Sequence, residues 1–440
     1  MTDITKTQLT KEQEEIFHAI EHEHKNMFVT GKAGTGKSTL LNYLKRNTKK
    51  NMAVVAPTGV AALNVGGQTI HSFFRIPPTF LSEDNIEVYP KTAELLRKVD
   101  IIVIDEVSMV RADLMDAIDY ILRVARKNDL SFGGVQMVMF GDPFQLPPIV
   151  REENVKEYFL QKYGGYYFFN AHSWNYADIE VCELSTIFRQ KDEGFKKLLN
   201  QIRHGDVTNE TLNALNARHA DELPENDVIY LATRNHVVDR INKTKLKNLK
   251  TKEQSYKAVI KGRLEPSALP TDKVLDLRIG AQVMFLRNDK ERRWVNGTIG
   301  TVKWLNDGGV GVEIGKETYT VMKETWDKIQ YSYNTNEQRM EEEVVSSFTQ
   351  YPLKLAWAIT VHKSQGQTYD SVIVDMDAGA FSHGQTYVAL SRCTQLETLY
   401  LKRKINLRDI IVDPQVTAFM DSAKNKKDKL HEEELIYEEQ

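Results

Sequence analysis

Cysteine is almost missing from this chain: Cys182 and Cys393 are the only two in 440 residues. Two thiols cannot build a disulfide framework or a four-ligand zinc site, and such sparing use suits a reducing cytoplasm. Long apolar runs are missing too; none reaches the roughly 18 residues of a membrane-spanning helix. The N-terminal stretch MTDITKTQLTKEQEE lacks the apolar core of a secretory signal and the Arg/Ser-rich, acid-poor texture of an organelle presequence. Nor does charge of one sign dominate. A net charge of −3 does not advertise a polyanion partner, although steering depends on charge within a groove and not on the total. What remains is a globular composition, 41% hydrophobic and 27% charged, at a length that implies about two to four domains.

Against those absences, residues 31–38 read GKAGTGKS, a complete G-x-x-x-x-G-K-[ST] phosphate loop. The apolar run NMFVT (26–30) precedes it and LLNYLKR follows, so a strand delivers the loop and a helix N-terminus faces the anion. Lys37 is placed to reach the β- and γ-phosphates of a nucleotide, and the Ser38 hydroxyl to ligate Mg²⁺. Three further β-rich runs, MAVVA (52–56), DIIVI (100–104) and QMVMF (136–140), have the unbroken apolar texture of a parallel sheet covered on both faces. Asp105 and Glu106 end the third of the four runs. Asp105 is expected to hold Mg²⁺ and Glu106 to deprotonate the attacking water. The fourth leads into GDPFQLPPI (141–149), whose prolines present Gln145 near the carboxyl edge of the sheet.

A second α/β lobe is expected from DVIYLATRN (227–235), LKLAWAITVHKSQG (353–366), SVIVDMD (371–377) and TLYLKR (398–403). It has no Lys-bearing phosphate loop, so one nucleotide per chain is expected, between the lobes. Arg189 and Arg392 are expected to neutralise charge on the transferred phosphoryl group as the cleft closes. Thr360, His362 and Lys363, at a strand end, form a plausible contact set for a nucleic-acid backbone. Asn235 and Asn242 bracket HVVDRI and either brace a phosphate contact or cap helix ends. Residues 244–350 alternate in short segments and read as an inserted antiparallel, barrel-like module. Its Trp294, Trp326 and Tyr331 either stack on bases or form its core, the commoner use. In TIHSFF, a strand would turn Phe73 and Phe74 opposite ways, one inward and one toward a base; Pro77-Pro78 then stiffens whatever projects. The tail from Asp421 is charged and reads as a terminal helix or a solvated end.

The ordered series GKAGTGKS, APTGVAALNVGG, VIDEVSM, GDPFQLPP, FRQ, TVHKSQGQT and YVALSR resembles superfamily 1 helicases of the 5′→3′ branch, and within it the petite-integration-frequency helicase family. The resemblance implies two RecA-like parallel-sheet lobes in tandem: a first over 1–63 and 81–184, a second over 185–243 and 351–420. It also implies a wedge at 64–80, an SH3-like barrel inserted at 244–350 and a tail at 421–440. Gln13 matches the adenine-reading glutamine; Gly34, Gly36, Lys37 and Ser38 match the loop, with Thr35, Thr39 and Gly366 beside the nucleotide. Asp105, Glu106 and Gln145 match the metal, general-base and sensing positions, and Arg189 and Arg392 the two cleft arginines. Pro57, Thr58, Gly59, His71 and Phe74 fall in the element that touches single strand, joined by Asn235, Asn242, Thr360, His362 and Lys363.

The implied activity is ATP- and Mg²⁺-dependent 5′→3′ movement on single-stranded DNA, with opening of forks, tailed duplexes, RNA–DNA hybrids and guanine quadruplexes in replication, repair or recombination. A compact bacterial, cytoplasmic, DNA-associated protein, monomeric when free and without membrane contact, is the corresponding expectation. Polarity rests on the resemblance alone. Two other classes use the same phosphate loop: a nucleotide-dependent switch or loader, and a metabolic kinase. The second lobe and the cleft arginines argue against the kinase.

Overall fold

The computed structural model describes residues 9–77, 81, 86–150, 152–224, 228–264, 269–291, 293–294, 296–306, 308–334 and 339–438. Its first lobe is a six-stranded parallel sheet of β1 (Asn26–Gly31), β2 (Met52–Ala56), β3 (Gln68–Thr69), β4 (Ile101–Ile104), β5 (Gln136–Phe140) and β6 (Ile179–Leu184). The order is β3-β2-β4-β5-β1-β6. Every residue of β4 and β5 is buried, as central strands covered on both faces must be. Helix α1 (Lys11–His22) and helix α2 (Lys37–Asn47) cover one face through Ile16, Ile20, Leu40, Leu41 and Leu44. Because β1 lies beside β5, and β5 beside β4, the carboxyl ends of all three strands open into one crevice.

The expected separate wedge at 64–80 is not what the described part of that segment forms. Helix α3 (Gly59–Val65) leads into β3, which pairs with β2 at the sheet edge, and then into helix α4 (Ile70–Phe74). Thr69 caps α4, its hydroxyl accepting from Ser72 N at 3.2 Å. A helical turn sends Phe73 and Phe74 both inward, where they pack edge to face at 5.0 Å in the lobe's core with Ile70 and Ile76. Phe74 is therefore a core residue and not the base-contacting aromatic expected of a strand. Residues 78–80, including Pro78, lie outside the described residues.

The second lobe is a four-stranded parallel sheet of order β18-β7-β19-β20, built from β7 (Ile229–Ala232), β18 (Ala358–Thr360), β19 (Val372–Asp375) and β20 (Leu399–Leu401). Between β7 and β18 lies the insertion: β8 (Gln254–Lys257), β9 (Val259–Lys261), β10 (Val274–Leu277), β11 (Gln282–Phe285), β12 (Ile299–Asn306), β13 (Gly309–Ile314), β14 (Glu317–Val321), β15 (Glu324–Asn334), β16 (Arg339–Gln350) and β17 (Leu353–Leu355). Five of these make an antiparallel sheet, β14-β13-β12-β11-β17, and β15, β16 and β9 make a second, dominated by a long hairpin. The helix Asn235–Asn248 runs across the expected boundary at 244, and β17 closes the sheet beyond the expected end at 350. Trp294 and Trp326 are buried, against Phe285 and Phe348, so both serve as core; the Tyr331 side chain lies outside the described residues. Ile329 of β15 reaches back into the first lobe's core.

The last helix, Pro414–Glu438, also returns to the first lobe. Phe419 stacks on Phe169 at 4.2 Å, near Phe168 and Trp174, and Val416 and Met420 join the same core. Residues 414–420 thus complete the first lobe, not the second as expected. The charged segment from Asp421 continues this helix.

Candidate nucleotide cleft

The phosphate loop leaves β1 and enters α2 through Gly36, whose left-handed φ of +85° caps the helix without any side-chain hydrogen bond. The first N–H groups of α2 therefore stay open toward an anion. Gly34, also at φ +85°, is required by close approach: a Cβ there would stand 2.3 Å from the Arg189 Cβ. Phe188 N donates to Gly34 O at 2.9 Å, so the FRQ segment is laid directly on the loop. Lys37 curls over the loop and donates from Nζ to Gly31 O at 2.5 Å and Lys32 O at 3.1 Å. Burial pulls its proton affinity down, opposed by the charges of Asp142 and Glu106. Thr35 turns its hydroxyl to Lys32 O. Gln13 is tied in as well, its Nε2 donating to Gly36 O at 3.3 Å while its Oε1 accepts from Thr10 N in a capping box.

Asp105 and Glu106 emerge where β4 ends, Glu106 in a left-handed conformation at φ +52° that only the surrounding structure can hold. Burial, then the neighbouring Glu106 charge, pushes Asp105 up to about 7. Glu106 is raised too, by burial, against the pull of Lys37 and Arg392. Its Oε2 accepts a hydrogen bond from Gln365 Nε2 of the second lobe at 3.0 Å.

Beside them, Asp142 and Gln145 follow β5. Gln145 Nε2 donates to Asp142 Oδ2 at 3.3 Å. Asp142 Oδ1 accepts from Arg203 Nη2 at 2.9 Å. Burial opposes the Asp142 charge, but Arg203 and Lys37 outweigh it and hold the carboxyl below its usual range. Gly384 of the second lobe abuts this loop so closely that a Cβ would sit 2.4 Å from Phe144 O. The adjacent His383 accepts at Nδ1 from Asp413 N and donates from Nε2 to Pro143 O, both at 2.9 Å.

From the second lobe, the helix Gln385–Leu390 sends the Tyr387 hydroxyl to accept from Ala33 N of the loop at 3.0 Å. Arg189 Nη1 and Gln190 Nε2 both donate to Ser391 O, at 3.3 and 3.1 Å. Burial, then the like charge of Arg392, lowers Arg189 to about 9. Arg392, only 1% exposed, donates from Nε to Val388 O, from Nη1 to Ser364 O and Gln367 O, and from Nη2 to Ser391 Oγ. Its guanidinium is held by its own lobe, within the electrostatic reach of Glu106.

Over residues 8–213 the chain matches a family described as PIF1-like helicase. It is 34% identical over 405 residues to the ATP-dependent DNA helicase Pif1 of Bdellovibrio bacteriovorus, covering 90% of this chain and 88% of that one. The chain belongs to the PIF1-like helicase family. Against the Danio rerio ATP-dependent DNA helicase PIF1 it is 35% identical over 407 residues, 89% of this chain but 60% of the longer relative. The structure is similar to Bacteroides sp Pif1 in complex with ADP-AlF4, with a TM-score of 0.89 at 38% identity over 95% of this chain and 98% of that one. Against Bacteroides Pif1 bound to ssDNA the TM-score is 0.69, at 40% identity over 96% and 98%. At nearly equal identity and coverage, the overall similarity is thus greater to the first of these two structures.

In this PIF1-like chain the expected strand-side residues fall into separate groups. Thr58 caps α3, its hydroxyl accepting from Ala61 N at 3.2 Å, with Pro57 and Gly59 half-buried at the end of β2. His71 is half-buried on α4, and burial, then the Arg111 charge, lowers its proton affinity. Thr360 ends β18 and accepts from Lys363 N at 3.3 Å; His362 is half-buried, and Lys363 and Gly366 are exposed. Asn242 neither caps a helix nor offers a free amide: Nδ2 donates to Ala358 O and Oδ1 accepts from Ala358 N, bracing edge strand β18. Asn235 is exposed at the first turn of its helix.

Four residues that sequence reasoning did not single out as site residues converge on the cleft: Asp142, Arg203, Gln365 and Tyr387. Asp142, Gln365 and Tyr387 stand inside quoted motifs, GDPFQLPP, TVHKSQGQT and YVALSR, but only their partners in the fold reveal them. A fifth, Phe188, is 55% exposed and stands over Gly36 beside Gln13.

Proposed function

We propose that this PIF1-like protein is an ATP-driven DNA helicase that moves 5′→3′ on single-stranded DNA and opens forked and tailed duplexes. One observation carries the reading. Side chains from the second lobe, Tyr387 on the loop amide and Gln365 on Glu106, meet the phosphate-loop machinery of the first. Hydrolysis at that seam has a direct route into relative motion of two lobes that each offer strand-facing residues. Lys37 and the N-terminus of α2 bind the phosphates, Phe188 and Gln13 bound the base, and Glu106 takes the proton of the attacking water. Thr39 and Gly366 line the same cleft, and Gln145 senses the nucleotide. Arg189 neutralises charge on the transferred group, with Arg392 close behind it.

The oxygen donors Ser38 and Asp105 fit a hard cation, and the proton affinity of Asp105, raised by burial and then by the neighbouring Glu106 charge, is one that such a cation would lower. Bound there, Mg²⁺ supplies charge neutralisation at the phosphates. Pro57, Thr58, Gly59, His71, Asn235, Thr360, His362 and Lys363 grip the strand backbone. The insertion acts as an SH3-like barrel flanking the path. RNA–DNA hybrids and quadruplexes adjoining a loading strand are further substrates, and the protein works in the DNA-bearing cytoplasm. No helix among the described residues is long and apolar enough to cross a membrane.

Duplexes with a 5′ or a 3′ single-stranded tail, incubated with ATP and Mg²⁺, test this directly. Opening of the 5′-tailed duplex is expected. Opening of the 3′-tailed one alone overturns the polarity, and opening of neither, with ATP turnover intact, favours a nucleotide switch.

A further inference from the structure

The hydrogen bond between Gln365 and Glu106 joins the two halves of the proposed machine at its most sensitive atom. Gln365 directly follows a one-turn helix, His362–Ser364, and is its C-cap residue. That turn also carries His362 and Lys363, the strand-side candidates. Its flanks are fixed: Ser364 is fully buried, with Oγ donating to Val361 O at 2.7 Å, and the Arg392 guanidinium takes up Ser364 O and Gln367 O. Gly366 is open, at φ +76° with no atom within 4 Å of a hypothetical Cβ. The turn is a short rigid piece, pinned at its rear, with Lys363 facing solvent and Gln365 facing Glu106.

A carboxylate that accepts an amide N–H is a weaker base, and one of its acceptor sites is taken from water. The bond also tethers Glu106 to the lobe opposite its own. We propose that Gln365 is a strand-sensitive brake: it holds Glu106 out of action until a nucleic-acid backbone seated on His362 and Lys363 shifts the turn and withdraws the amide. Nucleotide turnover is then suppressed without a track and released on one. This inference rests on the assignment of Glu106 as the general base. Gln365 is a positioning residue, acting through Glu106.

Replacing Gln365 by Met keeps side-chain length and removes the donor; Gln365→Asn keeps the amide but not its reach. Both variants of the full chain are compared with wild type in steady-state ATP hydrolysis, with and without saturating oligo-dT. Thermal melting and oligo-dT affinity are measured alongside. The brake predicts a DNA-free rate raised about ten-fold, the scale of one hydrogen bond to a charged group, with the oligo-dT-saturated rate changed less than about two-fold on that scale. The stimulation ratio collapses while melting and strand affinity hold. A fall in both rates by a similar factor overturns the brake in favour of Gln365 as an activating orienter, and two unchanged rates overturn it outright. Glu106→Gln separates the two levels of the argument. Persistent turnover in that variant sinks the base assignment itself, whereas an abolished rate together with an unchanged Gln365→Met ratio sinks only the brake.

Discussion

The Asp142 carboxylate and the Arg203 guanidinium meet at 2.9 Å with almost no exposure of either side chain, 0% and 1%. One follows β5 of the first lobe; the other ends the helix Glu193–His204, which packs into the second lobe's core through Phe195, Leu199 and Ile202. Arg203 also lies 4.3 Å from the Phe144 ring centroid. This buried pair clasps the lobes beside Lys37, whose charge Asp142 helps to support.

Breaking one side of such a pair leaves an uncompensated buried charge, at a cost of about 3–5 kcal/mol. Arg203→Ala is therefore expected to lower the melting temperature more than the paired replacement Asp142→Leu with Arg203→Met, which removes both charges. Calorimetry of the three proteins checks the order. A double variant less stable than Arg203→Ala would mean that the pair contributes more than mutual compensation.

Arg392 combines two roles that substitution to Ala removes together. Its guanidinium donates to the carbonyls of Val388, Ser364 and Gln367; Val388 O keeps Ser391 Oγ and Ser364 O keeps Gln367 N, so truncation takes the donor from Gln367 O, at about 1–3 kcal/mol. Arg392→Ala should lose turnover by roughly 10²–10³, the scale of one transition-state donor, and melt earlier as well. Glu106→Gln should lose turnover with its melting temperature nearly retained. Arg392→Lys keeps a charge but not the fork, and is expected to recover little of either. Full turnover in Arg392→Ala would confine the residue to structure.

Legibility in the sequence followed the range of the interaction. The phosphate loop, β1, β2, β4, β5 and the Asp105-Glu106 pair are local patterns of apolar run plus motif, and the structure places them as the sequence implies. Strand β3 is two residues long, and edge strand β6 alternates in burial, so neither carried an apolar run. Phe74 departs from the expectation because TIHSFF suits either a strand or a capped helical turn, and only burial in the core it shares with Ile102 and Ile104 selects the turn. Gln365 lies 259 residues from Glu106, and Arg203 lies 61 from Asp142. No window along the chain sees such pairs. The docking of Phe419 on Phe169 was hidden in the same way, at the head of a helix whose later charges suggested a solvated tail.

His383 sets a pH dependence. Its Nδ1 must stay unprotonated to accept from Asp413 N. Burial lowers its proton affinity from the ordinary 6.5, against the backbone contact at Pro143 and the charges of Asp413 and Asp142. The unfolded chain therefore binds the proton first as pH falls, and stability declines from about pH 6.5 downward to the folded-state value. Gln at this position can donate and accept without titrating. His383→Gln should show a flatter melting temperature between about pH 7 and pH 5 than wild type. Some slope persists, because His71, His204 and His362 are also lowered by burial. An identical slope would show that His383 is protonated in both states or in neither.

Phe188 is a large aromatic left 55% exposed beside the phosphate loop. A Cβ on Gly36 would lie 3.7 Å from its ring and 2.6 Å from Gln13 Nε2. Ring, amide and loop thus form one corner, beside which a base attached to loop-bound phosphates is expected to lie. Its backbone is fixed by the bond from Phe188 N to Gly34 O, so the ring is presented at little further entropic cost. Stacking of a base on an aromatic ring contributes about 1–3 kcal/mol. Phe188→Ala should therefore weaken ATP binding by roughly 5- to 150-fold, with turnover at saturating ATP changed far less, while Phe188→Tyr stays close to wild type. Titration with a fluorescent adenine nucleotide, repeated with inorganic triphosphate as competitor, separates base from phosphate. Loss of affinity for both ligands equally would place Phe188 in the support of the loop and not against the base.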